Sequence, residues 1–134
     1  MGHLLGHAVR FGVADDVLAA GEGIETVLSL RAVLPTLPLA AGLSANHVSA
    51  MLFPPRLRVL YILRDADRAG DAVVETLTAR AGEAGIEPHA LVPLLGDFND
   101  DLCRLGPVAL RADLMAQLLP RHAARFAGLA ARVG

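Results

Sequence analysis

The sequence contains no lysine; all 12 cationic side chains are arginine. Without lysine there is no phosphate-loop NTPase motif, which needs one to reach the phosphates, and no Schiff-base chemistry. The absence also counts against receiver-like domains, which use a lysine beside their phosphorylated aspartate. A GC-rich coding sequence, which favours Arg and Ala, accounts for the bias, and the exclusions hold regardless. Cysteine occurs once. Cys103 therefore forms no intramolecular disulfide and no zinc cluster, and its expected place is as a small buried or half-buried apolar residue. His3, His7, His47, His89 and His122 show no metal-ligand spacing. Although 54% of residues are hydrophobic, no run approaches the ~20 apolar residues of a membrane span. The opening MGHLLGHAVR lacks the basic start and long apolar centre of a secretory signal. A cytoplasmic protein with no membrane partner is the expectation. A net charge of −2 argues against a surface given over entirely to nucleic acid.

What is present is the patterning of one ordinary domain, since 134 residues suffice for a single buried core. His7 to Phe11 reads as a short strand or an extended arm. Val17 to Ala20 (VLAA) is a buried-strand run ending in Gly21-Glu22-Gly23. Ile24 to Leu34 has apolar residues at helical spacing and is stopped by Pro35. A second apolar run, Leu37 to Ala41, leads through Gly42 to a helix around Asn46 to Leu52. After Pro54 and Pro55 comes the strongest strand, Arg58 to Leu63 (RVLYIL). Arg68 to Ala84 reads as a long helix ended by Gly85. Glu87 to Leu94 reads as a fourth strand, followed by an acidic turn, GDFNDD. Pro107 to Val133 is helical in two pieces divided at Pro120. Strands that are apolar throughout, alternating with helices, predict an α/β fold with a mostly parallel four-stranded sheet flanked by helices.

In such folds the loops at the carboxyl ends of the strands line the binding crevice. Glu22 follows the first strand, Asp65 and Asp67 the third, and Asp97, Asp100 and Asp101 the fourth. Carboxylates converging on one rim repel one another unless a cation neutralises them. Hard oxygen donors without nearby His or Cys suit Mg²⁺ or Mn²⁺. Each acid has an ordinary structural alternative: Asp67 as a helix N-cap, Asp97 and Asn99 as turn formers, Glu22 as a solvated loop acid. Their recurrence at successive strand ends favours a metal.

The segments GEGIETVLSL (Gly21 to Leu30), YILRDADRAG (Tyr61 to Gly70) and GDFNDDL (Gly96 to Leu102) resemble the Toprim domain shared by bacterial primases, type IA and type II topoisomerases and some nucleases. The likeness is greatest to the primase-type Toprim domains of plasmid and phage proteins, in which one strand runs into E-G-I-E-T and a later one into D-x-D-x-A-G. It covers roughly Val17 to Leu102, and HAVRFG resembles the segment preceding the domain in longer members. The resemblance implies a Toprim-like, Rossmann-like fold, with a lead-in segment at 1–15, the Toprim domain at 16–103 and a helical extension at 104–134. It implies that Glu22 is a general acid/base or metal ligand and that Asp65 and Asp67 are Mg²⁺ ligands, with Mn²⁺ as a substitute. It further implies that Asp97 and Asp100 are additional ligands and that Gly23, Glu25 and Gly70 are supporting residues. Where this subfamily has G-K-D-W-N-D, the chain reads GDFND, so the lysine's phosphate contact is lost and Phe98 replaces Trp. Arg64 and Arg68 flank the D-x-D pair as phosphate clamps; their structural alternative is an ion pair with the same aspartates.

The expected function is primase-type nucleotidyl transfer, RNA primer synthesis on single-stranded DNA from nucleotides, within a larger protein or complex. The chain has no zinc-ribbon template-binding module and no helicase, so either is an expected partner. Alternatives are a Toprim binding or scaffold module without catalysis and a small Toprim nuclease. Tyr61 lies inside a predicted strand and is a poor topoisomerase nucleophile. A haloacid-dehalogenase-type phosphatase is disfavoured, because Arg-Ala follows the D-x-D and its strand is third rather than first.

Overall fold

In a computed structural model of the chain, residues 3–5, 8–42, 44–65 and 68–133 are described. Their elements run β1 (His3–Leu5), β2 (Ala8–Phe11), β3 (Val17–Gly21), α1 (Ile24–Val33), β4 (Leu39–Ala41), α2 (Ala45–Ser49), β5 (Val59–Leu63), α3 (Arg68–Glu83), β6 (Glu87–Leu91), α4 (Phe98–Leu105), α5 (Pro107–Gln117) and α6 (Pro120–Val133). One six-stranded sheet has the order β1-β2-β4-β3-β5-β6. The four expected strands are its parallel part.

Three expectations are corrected. The sheet has six strands rather than four: the segment His7 to Phe11 takes its strand alternative as β2, which pairs antiparallel with both β1 and β4. The last strand stops at Leu91 rather than Leu94, and the acidic turn becomes the start of α4. Asp97 causes this second change, because its carboxylate caps the helix by accepting the Asp100 N–H at 2.7 Å. Cys103 is exposed, on the outer side of α4.

Successive strand residues point to opposite sheet faces, and the chain fills both with hydrocarbon. Val17, Ala19, Leu39, Ala41, Val59, Tyr61 and Leu63 face one layer, where α1, α4, α5 and α6 contribute Val27, Leu30, Phe98, Leu110, Leu114 and Phe126. Leu18, Ala20, Ala40, Leu60 and Ile62 face the other, against Val48 of α2 and Val73, Leu77 and Ala81 of α3. This two-sided burial is why the central strands have no charged side chain and show no alternation. The C-terminal helices thus share the core of the sheet.

Gly85 ends α3 as its sequence position suggests. It sits at φ +74°, in the left-handed region. Its N–H bonds the Gly82 carbonyl at 3.2 Å, and the Ile86 N–H bonds the Ala81 carbonyl at 2.8 Å. These are the two bonds of a Schellman motif, and they aim the chain back into β6.

Candidate metal centre

From β3 the chain crosses to β4 on one side and then returns to β5 on the other. The sheet order therefore reverses between β3 and β5, and the crevice beyond the carboxyl ends at such a point is where open α/β sheets bind ligands. Ala20 is in register with Ile62. Glu22 and Asp65 lie two and three residues beyond that pair, so both stand at this end of neighbouring strands. Both are half-buried, within reach of a ligand.

Gly23 caps α1 in an extended conformation with no side-chain cap bond, and Glu25 is exposed in the first turn. Asp67 lies outside the described residues, as does the side chain of Arg68, the first residue of α3. Gly70 is buried, and a Cβ at that position would collide with the carbonyl oxygen of Asp65. Only glycine lets the first turn of α3 rest against the Asp65 backbone. The positive end of the α3 dipole is thereby held beside the loop.

Arg64 is committed within the fold. Its Nε donates to Asp71 Oδ1 at 2.8 Å, and its Nη2 donates to the same oxygen. The ion pair Arg64 makes is with Asp71 of α3, outside the D-x-D motif. Both side chains are partly exposed, 32% and 58%, and pairs of that kind contribute only about 0–1 kcal/mol. An incoming phosphate could displace Asp71 at little cost.

The third acidic segment divides by role. Asp97 and Asp100 are half-buried at the start of α4, with Asp97 engaged as the cap. Asp101 is fully buried and accepts the Leu94 and Leu95 N–H groups, each at 2.8 Å. It fixes the path from β6 into α4. On α1, Ser29 Oγ lies 3.5 Å from Asn99 Oδ1, and it donates to the Glu25 carbonyl at 2.8 Å. Among the described residues, no group of three or more His, Cys, Asp or Glu side chains forms a metal cluster. The described nucleus is Glu22 and Asp65.

Several residues that sequence reasoning passed over serve this end of the sheet. Thr26 of α1 is buried, and its Oγ1 donates to Asp65 Oδ1 at 3.3 Å. The Thr of E-G-I-E-T was the available signal, since a buried hydroxyl in the first turn of a helix needs a partner. Asp71 had none, because its partner is set by the packing of α3, whereas Asp101, already counted among the strand-end acids, is taken up by the turn before α4. Deeper in the core, Leu119 N–H donates to Tyr61 Oη at 3.0 Å, and Tyr61 Oη shares a hydrogen bond of 2.6 Å with His122 Nδ1. Burial and the adjacent Arg121 charge hold the His122 pKa below its ordinary value, while burial raises that of Tyr61. At the amino ends of β3, β5 and β6, a cavity of about 540 Å³ is lined by Asp15, Asp16, Arg56, Arg58 and Gly85. Of its charged residues, Asp15 pairs with Arg56 and Asp16 with Arg125.

The Toprim domain family matches residues 17–107, from the start of β3 to the start of α5. Comparison with curated proteins finds no match. Among solved structures, the primase fragment of the bacteriophage T7 primase-helicase protein superposes with a TM-score of 0.61 at 14% identity, over 88% of this chain and 51% of that one. A DNA primase domain from Pseudomonas aeruginosa superposes with a TM-score of 0.55 at 21% identity, over 76% of this chain and 33% of that one. The chain thus spans about half and one third of these two structures, and at such identities the likeness is one of fold. Because that family's model matches residues 17–107, more than half of the chain, the chain belongs to the Toprim domain family.

Proposed function

We propose that this domain carries out Mg²⁺-dependent nucleotidyl transfer of the primase type, extending an RNA primer on single-stranded DNA as part of a longer protein or complex. The observation that supports this most is the position of Glu22 and Asp65 at the carboxyl ends of β3 and β5, the strands between which the sheet order reverses. The donors fit the ion: Glu22, Asp65 and Asp67 offer hard carboxylate oxygens, with Asp97 and Asp100 as further donors, and no soft ligand is required. When bound, the metal supplies charge neutralisation at the transferring phosphate. Glu22 accepts the proton of the attacking 3′-hydroxyl. The N-terminal end of α3, opened close to Asp65 by Gly70, favours the phosphate oxygens. Arg64 and Arg68 add charge-assisted contacts to phosphate, Arg64 after leaving Asp71.

On this reading residues 1–15 lead into a Toprim domain at 16–103, and 104–134 form a helical extension. A helicase or zinc-ribbon partner supplies unwinding or template recognition; the T7 protein is itself a primase-helicase. The reading places the protein in the cytoplasm. Among the described residues no helix is long and apolar enough to cross a membrane.

The absence of lysine and the net charge of −2 favour a second reading, a Toprim module that binds metal and nucleic acid without turnover. Purified protein incubated with single-stranded template, nucleotides and Mg²⁺ or Mn²⁺ separates the two. Primer synthesis is expected, falling about 10²–10⁴-fold in Glu22→Gln, the range for loss of a general base. Full activity in Glu22→Gln would overturn the mechanism. Metal binding without synthesis would select the second reading, and cleavage of single-stranded, nicked or duplex DNA in Mn²⁺ would point to a nuclease.

A further inference from the structure

Thr26 is 6% exposed and lies one helical turn beyond Glu22. Its hydroxyl has two neighbours that matter. It donates to Asp65 Oδ1 at 3.3 Å, and it lies nearest to the spot a Cβ of Gly23 would occupy, 3.9 Å away. The hydroxyl therefore sits between the loop that carries Glu22 and the loop that carries Asp65, elements 39 residues apart in sequence. A buried threonine commonly satisfies itself on the carbonyl one turn back, as Ser29 does with Glu25. The hydrogen bond of Thr26 instead runs to the carboxylate at the end of β5. The last torsion of a carboxylate is broad, and a hydroxyl donating to one oxygen favours one setting of its plane.

We propose that Thr26 is a positioning residue, holding the Asp65 carboxylate in one orientation at the carboxyl end of β5. This rests on the metal reading above, and it adds a part for α1 that the carboxylates alone do not supply. The bond reaches Asp65 across the strand boundary, so the rotation of α1 about its own axis governs the geometry of the site. The hydroxyl, not the volume, is the working part: Thr26→Val removes the bond while keeping the shape, and Thr26→Ser keeps the bond with one methyl fewer.

The test is Mn²⁺ titration of the purified chain, followed by electron paramagnetic resonance of the free ion, alongside thermal unfolding in metal-free buffer. Outer partners of metal ligands typically contribute about 10–100-fold in affinity. Thr26→Val is expected to weaken Mn²⁺ binding by about 10-fold, with Thr26→Ser restoring it to near the wild-type value. Thr26→Val binding Mn²⁺ as tightly as wild type would overturn the positioning role and leave the metal site standing. Equal weakening in both variants would overturn it as well, by tracing the effect to packing rather than to the hydroxyl. Wild-type protein that takes up no Mn²⁺ would overturn the metal reading itself, and the positioning role with it.

Discussion

At the scale of single residues, acids that look alike in sequence have different work. Asp97 caps a helix, Asp100 is half-buried beside it, and Asp101 is sealed from solvent with two backbone N–H groups on its carboxylate. Bonds to a charged acceptor contribute about 1.5–3 kcal/mol each, and a buried donor left unpaired costs about 1–3 kcal/mol. Asp101→Asn keeps the shape but turns one acceptor into a donor facing an N–H. It is expected to lower stability by about 2 kcal/mol in urea unfolding, with Mn²⁺ affinity changed far less than by Glu22→Gln. The adjacent Asp100, partly open to water, gives a small stability effect when changed to Asn. Sequence could count these acids but not sort them, because acids within one turn of a helix start look in different directions.

At the scale of elements, the end of α3 shows a local rule obeyed and the start of α4 shows one overlooked. Gly85 holds a left-handed backbone, where a side chain costs about 1–2 kcal/mol. Gly85→Ala is expected to shift the urea midpoint by a loss of about 1 kcal/mol with an unchanged slope, since the Cβ meets nothing within 4 Å and only the backbone resists. A large change in slope would mean that the β6 connection had come apart instead. For α4, D-x-x-D is an N-cap signature, with Asp97 as cap and Asp100 at the third helical position. The Gly, Asn and repeated Asp nearby read equally well as turn chemistry. Burial of Phe98 against the sheet decided between them.

At the scale of the whole molecule, α6 is joined to the central sheet through the Tyr61–His122 pair and to the start of β3 through Arg125 and Asp16, 2.9 Å apart. Burial favours neutral His122, whose Nδ1 can then accept the Tyr61 phenol hydrogen while Tyr61 receives the Leu119 N–H. Protonation would turn Nδ1 into a donor and change that arrangement. Burial first, then Arg121, lowers the His122 pKa from its ordinary 6.5, while Asp16 and Glu87 act the other way and Arg125 with Arg121. Between the folded and unfolded values the unfolded chain binds more protons, so stability rises with pH. This contribution is fully present above about pH 6.5 and is lost as pH falls from there through the folded value. Burial would raise Asp16, but bonding and charge from Arg125 carry it below its ordinary 3.8, which adds a second loss at lower pH. Urea unfolding at pH 7.5 and 5.5 is expected to show a fall in stability that is reduced in His122→Gln. An equal fall in both proteins would remove His122 as the cause.

What the sequence determined by itself was the parallel α/β order, the strand-end position of Glu22 and Asp65, the glycine that closes α3 and the family. These follow from neighbours in the chain: apolar runs that must be buried on both faces, turns that need glycine, and motifs only a few residues long. Tertiary structure decided which side chains meet. Thr26 with Asp65, Arg64 with Asp71, Tyr61 with His122 and Asp101 with the turn before α4 all depend on helix rotation and strand order. So does the recruitment of β1 and β2 to the edge of the sheet. The hydrophobic burial that drives these arrangements is non-directional. It collects the elements without naming the polar contacts between them, and those contacts are settled only once close packing has set each helix against the sheet.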